Sequence, residues 1–173
     1  MAERVDADDV ARLFAEHHPS LYRYLYRLTG DADAAADAAQ EAFTRMVADP
    51  PANEMPRAWL FKVATNLVRD RARVRRRRRE LLEDRPDRAP VGDPPPDPET
   101  ALMREDARAR VRRALDALDD KERTVLLMRE EGFRHREIAA AVGTTTGSVG
   151  TMIARALDKL ARRLDADNAE GER

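Results

Sequence analysis

The stretch "WLFKVATNLVRDRARVRRRRR", Trp59 to Arg79, holds the densest polar chemistry of the chain. At helical spacing Lys62, Asn66, Arg69 and Arg73 share one stripe, and Asp70 follows Asn66 by one turn. Such a stripe suits a nucleic-acid backbone, extended by Arg76 and Arg77 within the run Arg75–Arg79. Asn66 offers an amide to a base edge. Trp59 has a ring able to stack on an unpaired base, but its place on the apolar side argues for packing. The competing interpretation is a solvated charge run, neutralised by the acidic stretch just downstream.

A second constellation lies between Arg134 and Leu157. Ala139 is small enough for two helices to cross, Gly143 suits a tight turn with positive φ, and Val149 follows six residues later. Ile138, Val142, Val149 and Ile153 would form a shared core, with Thr145 or Thr146 capping the second helix. This spacing favours a helix-turn-helix over two amphipathic helices joined by an ordinary turn. On the outer side of the second helix stand Thr146, Ser148, Thr151 and Arg155, with Arg134 and Arg136 opening the helix before it. Hydroxyls and guanidiniums at those positions suit phosphates and base edges. The alternatives are ordinary surface residues and, for Arg155, an ion pair with Asp158.

A third stripe, Asp37, Gln40, Glu41 and Thr44 in "DAAADAAQEAFTRM", is acidic and amide-bearing. It is wrong for DNA and suited to a basic protein surface, or else it is a solvated helix face. No set for catalysis, metal or cofactor stands out. There is no cysteine, the three histidines do not cluster with ligands, and no glycine loop would cradle a phosphate. An acidic start without an apolar stretch, and no apolar run near membrane-spanning length, set the expectation of a soluble cytoplasmic protein without membrane insertion.

These stripes need helices to position them. Aromatics are only 5% and glycines only 7, so the core must rest on Leu, Val, Ala and Met in helices. A net charge of −1 hides a block of +7 at residues 65–79 followed by −5 at residues 80–100. Six of the ten prolines fall between Pro86 and Pro98, which predicts a flexible Pro-rich acidic linker over 83–99. The expected architecture is all-α, with helical domains at 1–82 and 100–173, the second a helix-turn-helix. In the first, Val10, Leu13, Phe14, His17, Leu21, Tyr24, Leu25 and Leu28 recur at helical spacing, and Pro19 predicts a break or bend. A helix over 33–48 would bury Ala39, Phe43, Met46 and Val47. One starting near Pro56 would bury Trp59, Leu60, Val63, Leu67 and Val74. In the second domain, a helix at 100–118 carries Leu102, Val111, Leu115 and Leu118. Asp119 with Glu122 predicts a capping box for the helix bearing Val125, Leu126 and Met128.

With these constellations in place the chain resembles an extracytoplasmic-function sigma factor of bacterial RNA polymerase. The resemblance rests on "LYRYLYRLTGD", "DAAQEAF", "RAWLFKVATNLVRDRAR", "ALDALDDKERTVLLMREEGFRHREIAAAVG" and "GSVGTMIARALDKL", in that order, from about residue 10 to 164. It implies a specificity subunit with no catalysis and no cofactor of its own. Asp37, Gln40, Glu41 and Thr44 would meet the β′ clamp helices. Lys62, Asn66, Arg69, Asp70, Arg73, Arg76 and Arg77 would hold the melted −10 element. Arg134, Arg136, Thr146, Ser148, Thr151 and Arg155 would lie at the −35 element, beside a β-flap contact. The implied partners are the polymerase core and promoter DNA, with an anti-sigma factor left open. Three departures stand out. Ala38 and Ala39 replace larger aliphatics, Gly150 and Met152 replace basic readers, and Arg134 replaces a capping Ser or Thr. The rival interpretations are a stand-alone helix-turn-helix regulator with an N-terminal sensing or dimerisation module, and a protein-binding helical adaptor.

Overall fold

The computed structural model describes residues 7–51, 56–82, 107 and 109–171. It separates into two compact units, Met1–Pro90 and Val91–Arg173. The described residues form helices and turns, with no strand among them. The proposed linker, 83–99, and Leu102 lie outside the described residues.

The first unit packs three helices, α1 (Ala7–Thr29), α2 (Ala32–Ala48) and α3 (Pro56–Leu82). The Pro19 expectation is corrected: α1 runs unbroken through it. The Ser20 hydroxyl donates to the His17 carbonyl at 3.0 Å, supplying one hydrogen bond beside the amide hydrogen that proline lacks. Helix α1 stops at Gly30, whose φ of 68° is cheap only for glycine. Asp31 then caps α2, its carboxylate accepting the Ala34 N–H at 2.9 Å.

Ala35, Ala38, Ala39 and Ala42 of α2 are all fully buried. Their small side chains let neighbouring helices approach closely, so the alanine-rich face can form a tight interface. At the centre, Tyr24 of α1 packs on Phe61 of α3 with ring centroids 5.0 Å apart. Its hydroxyl lies 2.7 Å from Thr65 Oγ1. Since Thr65 gives its own proton to the Phe61 carbonyl at 2.6 Å, Tyr24 is the donor in this pair.

The inward face of α3 is rotated from the expected one. Leu60, Phe61, Ala64 and Val68 are buried, whereas Trp59, Val63 and Leu67 are only half-buried and Val74 is exposed. Val47 of α2 is likewise exposed beside buried Phe43 and Met46.

The second unit comprises α4 (109–116), α5 (Asp120–Glu130), α6 (His135–Val142) and α7 (Thr146–Gly171). In α4, Ala114 and the following Leu118 are buried, but Val111 is exposed, contrary to its expected inward place. The Asp119 capping box is present as read: its carboxylate accepts the N–H groups of Lys121 and Glu122 at 2.9 and 2.8 Å. Glu122 returns the bond to Asp119 N–H at 3.2 Å. These amide donors hold the Asp119 pKa below its ordinary value. Glu122 is buried, and both its oxygens accept from Lys159 Nζ of α7 at 2.7 and 2.8 Å, so its charge is paired across helices.

Helix α5 ends in a Schellman turn. Gly132 has φ 86°, its N–H reaches Arg129 O at 3.0 Å, and Phe133 N–H reaches Met128 O at 3.2 Å. That turn drives Phe133, fully buried, into the core with Val125, Leu127, Met128, Ile138 and Val149. Phe133 and Leu127 were not among the expected core residues. The signal for Phe133 was present in "GF", an apolar residue directly after a helix-ending glycine.

Candidate nucleic-acid interface

Helix α3 presents the polar stripe outward. Lys62, Asn66, Asp70, Arg73 and Arg77 are exposed and Arg69 is half-buried; Arg76 lies within the helix, but its side chain is outside the described residues. The buried face of Leu60, Phe61, Ala64 and Val68 fixes this orientation, because a helix has one inward side. Half-buried Trp59 and Val63 border the stripe, so Trp59 is less enclosed than its apolar pattern suggested.

The arginines of α3 divide into two groups. Arg71 approaches Asp37 of α2 at 3.8 Å, and Arg75 approaches Asp31 at 3.8 Å. Arg73 contacts only a neighbour on its own helix in these pairings, Asp70 at 3.4 Å. Neutralisation of the run therefore comes in part from α2, a source the linear sequence did not indicate. All of these pairs are exposed, and such pairs contribute on the order of 0–1 kcal/mol. They orient the arginines more than they stabilise the fold.

On α2, Asp37, Gln40 and Thr44 are exposed and Glu41 is half-buried. Glu41 pairs with Arg45 at 2.8 Å, and the Thr44 hydroxyl donates to the Gln40 carbonyl at 3.0 Å. The structure thus keeps the four on one accessible side, next to the cationic helix rather than on it.

In the second unit α6 and α7 make the anticipated turn. Gly143 has φ 64° and ψ 56°, and the N–H groups of Gly143 and Thr144 both reach the Ala139 carbonyl. Ile138, Ala139 and Val149 are buried at the crossing, while Val142 and Ile153 are half-buried. Thr145 supplies the cap of α7: its Oγ1 accepts the Ser148 N–H at 3.2 Å and lies 2.8 Å from Ser148 Oγ. Ser148 is therefore half-buried and engaged in the cap, whereas Thr146, Thr151 and Arg155 are exposed. The suspected Arg155–Asp158 pair is replaced, since Asp158 bonds Arg162 at 2.6 Å. Arg134 and Arg136 are exposed at the start of α6. Arg134 has no acceptor to cap the helix, but Glu137 accepts its backbone N–H at 2.6 Å, which closes half of a capping box.

The family model described as "Sigma-70 region 2" matches residues 13–79, and "Sigma-70, region 4" matches 108–160. The ECF RNA polymerase sigma factor EcfG of Rhodopseudomonas palustris is 34% identical over 157 residues, covering 88% of this chain and 83% of that protein. The chain belongs to the ECF RNA polymerase sigma factors. SigE of Mycolicibacterium smegmatis is 33% identical to this sigma factor over 165 residues, 91% of the chain but 62% of SigE. The chain thus spans less than two thirds of that relative's length. Among solved structures, CnrH bound to the cytosolic domain of CnrY is 26% identical, with a TM-score of 0.68 and coverage of 94% of this chain and 91% of that one. The fold also matches RpoE of Bartonella quintana, crystallised with the anti-sigma factor NepR, at a TM-score of 0.75 and 22% identity, covering 93% and 99% of the two chains.

Membership makes the sigma factor a DNA-binding transcription initiation factor of the sigma-70 family. The stripes on α2 and α3 fall within the region 2 match, and the α6–α7 turn falls within the region 4 match. No helix among the described residues is long and apolar enough to cross a membrane.

Proposed function

We propose that this sigma factor acts in the cytoplasm, joins the core of bacterial RNA polymerase and directs it to promoters with a −10 and a −35 element. In this reading Asp37, Gln40, Glu41 and Thr44 of α2 meet the β′ clamp helices, and the second unit meets the β flap. Helix α3 holds the unpaired −10 strand: Asn66 reads a base edge, while Lys62, Arg69, Arg73, Arg76 and Arg77 neutralise phosphates. Asp70 sets the rotamer of Arg73. Helix α7 enters the major groove at −35 with Thr146, Thr151 and Arg155, steadied by Ser148 within its cap and by Arg134 and Arg136 of α6. The work done is binding work, with the chemistry left to the polymerase. An anti-sigma factor is the expected antagonist, as RpoE of Bartonella quintana was crystallised with the anti-sigma factor NepR.

The observation that carries the proposal is the division of α3 into a buried apolar face and an exposed stripe of amide and cations. A stand-alone regulator would need no such helix beside an acidic one. Run-off transcription with purified core polymerase on a genomic fragment library tests it. Specific transcripts that require this protein are expected; their absence, with no co-purification with core, overturns it. In the same assay Asn66→Ala should impair open-complex formation while leaving core capture intact. Loss of core capture instead would show that α3 is misassigned.

A further inference from the structure

Glycine at position 150 leaves the second turn of α7 without a side chain where a DNA reader would be useful. The structure shows what stands there instead. A Cβ built on Gly150 would lie 3.8 Å from Cε1 of His135, the first residue of α6. His135 is exposed and Gly150 half-buried, so the imidazole lies against the flank of α7 while remaining open to solvent. Nothing comes within 4 Å of a Cβ at Gly147, and Ala154 is small and exposed, so neither of these two neighbours about one turn from Gly150 competes with the imidazole. At 100° per residue, Thr151 and Arg155 project from the opposite edge of the outward face.

We propose that His135 supplies, from α6, the −35 base contact that residue 150 of α7 would otherwise make. The inference rests on the −35 reading of α6 and α7 given above. The first helix of a helix-turn-helix ordinarily crosses the DNA backbone, so a histidine there would by default touch a phosphate. Its Cε1 stands 3.8 Å from where a Cβ of residue 150 would be, which brings the ring to the flank of the groove-facing helix instead. An imidazole offers a ring N–H donor and, when neutral, an acceptor, which suits the N7 and O6 acceptors of guanine or the edge of adenine.

The test is selection by reconstituted holoenzyme from a promoter library with a fixed −10 element and a randomised −35 region. The wild type is compared with His135→Ala, Arg155→Ala and the double variant His135→Ala with Gly150→Arg. His135→Ala should flatten the preference at one or two adjacent base pairs by on the order of tenfold and spare the other positions. The double variant should regain a preference there, now for guanine, which arginine pairs in bidentate fashion. Because His135 is exposed, its alanine variant should melt like the wild type, which keeps the readout free of misfolding. A profile unchanged in His135→Ala, while Arg155→Ala alters it elsewhere, overturns the role of His135. So does a uniform fall in binding at every sequence, the mark of a phosphate contact. A wild type indifferent to every −35 position would instead overturn the underlying −35 reading.

Discussion

Along its exposed side α3 carries Lys62, Arg69, Arg73 and Arg77 around Asn66, whereas the outward side of α7 offers Thr151 and Arg155 among Gly147, Gly150 and Ala154. Both belong to regions that the sigma-70 family models match. The difference teaches how much each helix can rely on charge alone. On the proposed function α3 holds an unpaired strand, which is flexible and is gripped at its phosphates, so cations spread along the helix suit it. On the same proposal α7 reads a duplex, where hydroxyls and a single guanidinium can pair with base edges and fewer charges are called for. The price of density on α3 is self-repulsion, and α2 relieves it through Asp31 and Asp37. The second unit has less to relieve and spends its carboxylates on internal ties, Glu122 to Lys159 and Asp167 to Arg113 and Arg163.

The harshest way to break the comparison is to remove one side of it. Phe133 is fully buried between α5 and α6, and Phe133→Ala should cost about 3–5 kcal/mol. For a unit of this size that is a large share of its whole stability. Core capture through α2 should persist while discrimination among −35 sequences disappears. Equal loss of both, in pull-down and library selection, would mean that the units do not divide the work.

A gentler cut compares the charges themselves. Replacing Lys62, Arg69 and Arg73 with alanine should make the salt dependence of binding to −10 single strands in holoenzyme shallower by about 2 in log–log slope. Arg155→Ala should reduce the slope for duplex −35 DNA by about 1. Slopes that change equally would erase the contrast between the helices.

The contrast also marks what the sequence disclosed. Local grammar transferred well: the Asp119–Glu122 box, the left-handed Gly143 and a cap at Thr145 each depend on residues within a few positions of one another. The outward stripes on α2 and α3 were legible for the same reason. Facing was less so. Val47, Val74 and Val111 fit an apolar period yet end exposed, while Ala64 and, beside the expected Ala39, Ala35, Ala38 and Ala42 of α2 are buried. Hydrophobicity alone underweights alanine, whose value here is the close approach it permits. The Arg71–Asp37 and Arg75–Asp31 pairs depend on how α2 and α3 pack, and the nearness of His135 to position 150 on how α7 packs against α6. Linear spacing carries no record of such packing. Pro19 shows the converse, a strong local signal overridden by the buried residues on both sides of it, His17, Leu21, Tyr24 and Leu25.

Acid should separate the units by a smaller margin. Burial lowers the pKa of His17 in α1, opposed by Glu16 and assisted by Arg57. Its folded value therefore lies below the ordinary 6.5, so the unfolded chain binds the proton first as pH falls. The stability from neutral His17 is complete above 6.5 and drains away as pH drops from there toward the folded pKa. In the second unit, Asp119 is depressed below 3.8 by the amides it caps, so its contribution survives until pH falls into the carboxylate range. Trp59, the sole tryptophan, reports on the first unit by fluorescence. Melts should show that unit weakening between pH 7.5 and 5.5, an effect abolished in His17→Gln. Hydrogen exchange in α5 should be nearly unaffected over the same range, beyond the ordinary pH dependence of the exchange chemistry.

The finest test concerns one missing methyl. Gly147 lies in the first turn of α7, with open space around the position of a Cβ. As the chain itself is concerned, Gly147→Ala should stabilise the helix by about 0.5–1 kcal/mol, because glycine surrenders more backbone freedom on folding. The second unit should therefore melt slightly higher. If α7 relies on fit rather than charge, that same methyl stands between the helix backbone and the DNA. Duplex −35 binding by holoenzyme should then weaken by severalfold although the protein is more stable, with no change in salt slope. A variant that is stabilised and binds as well as the wild type would show that the first turn of α7 stays clear of the groove. The absence of cations on that turn would then reflect distance from the DNA rather than closeness to it.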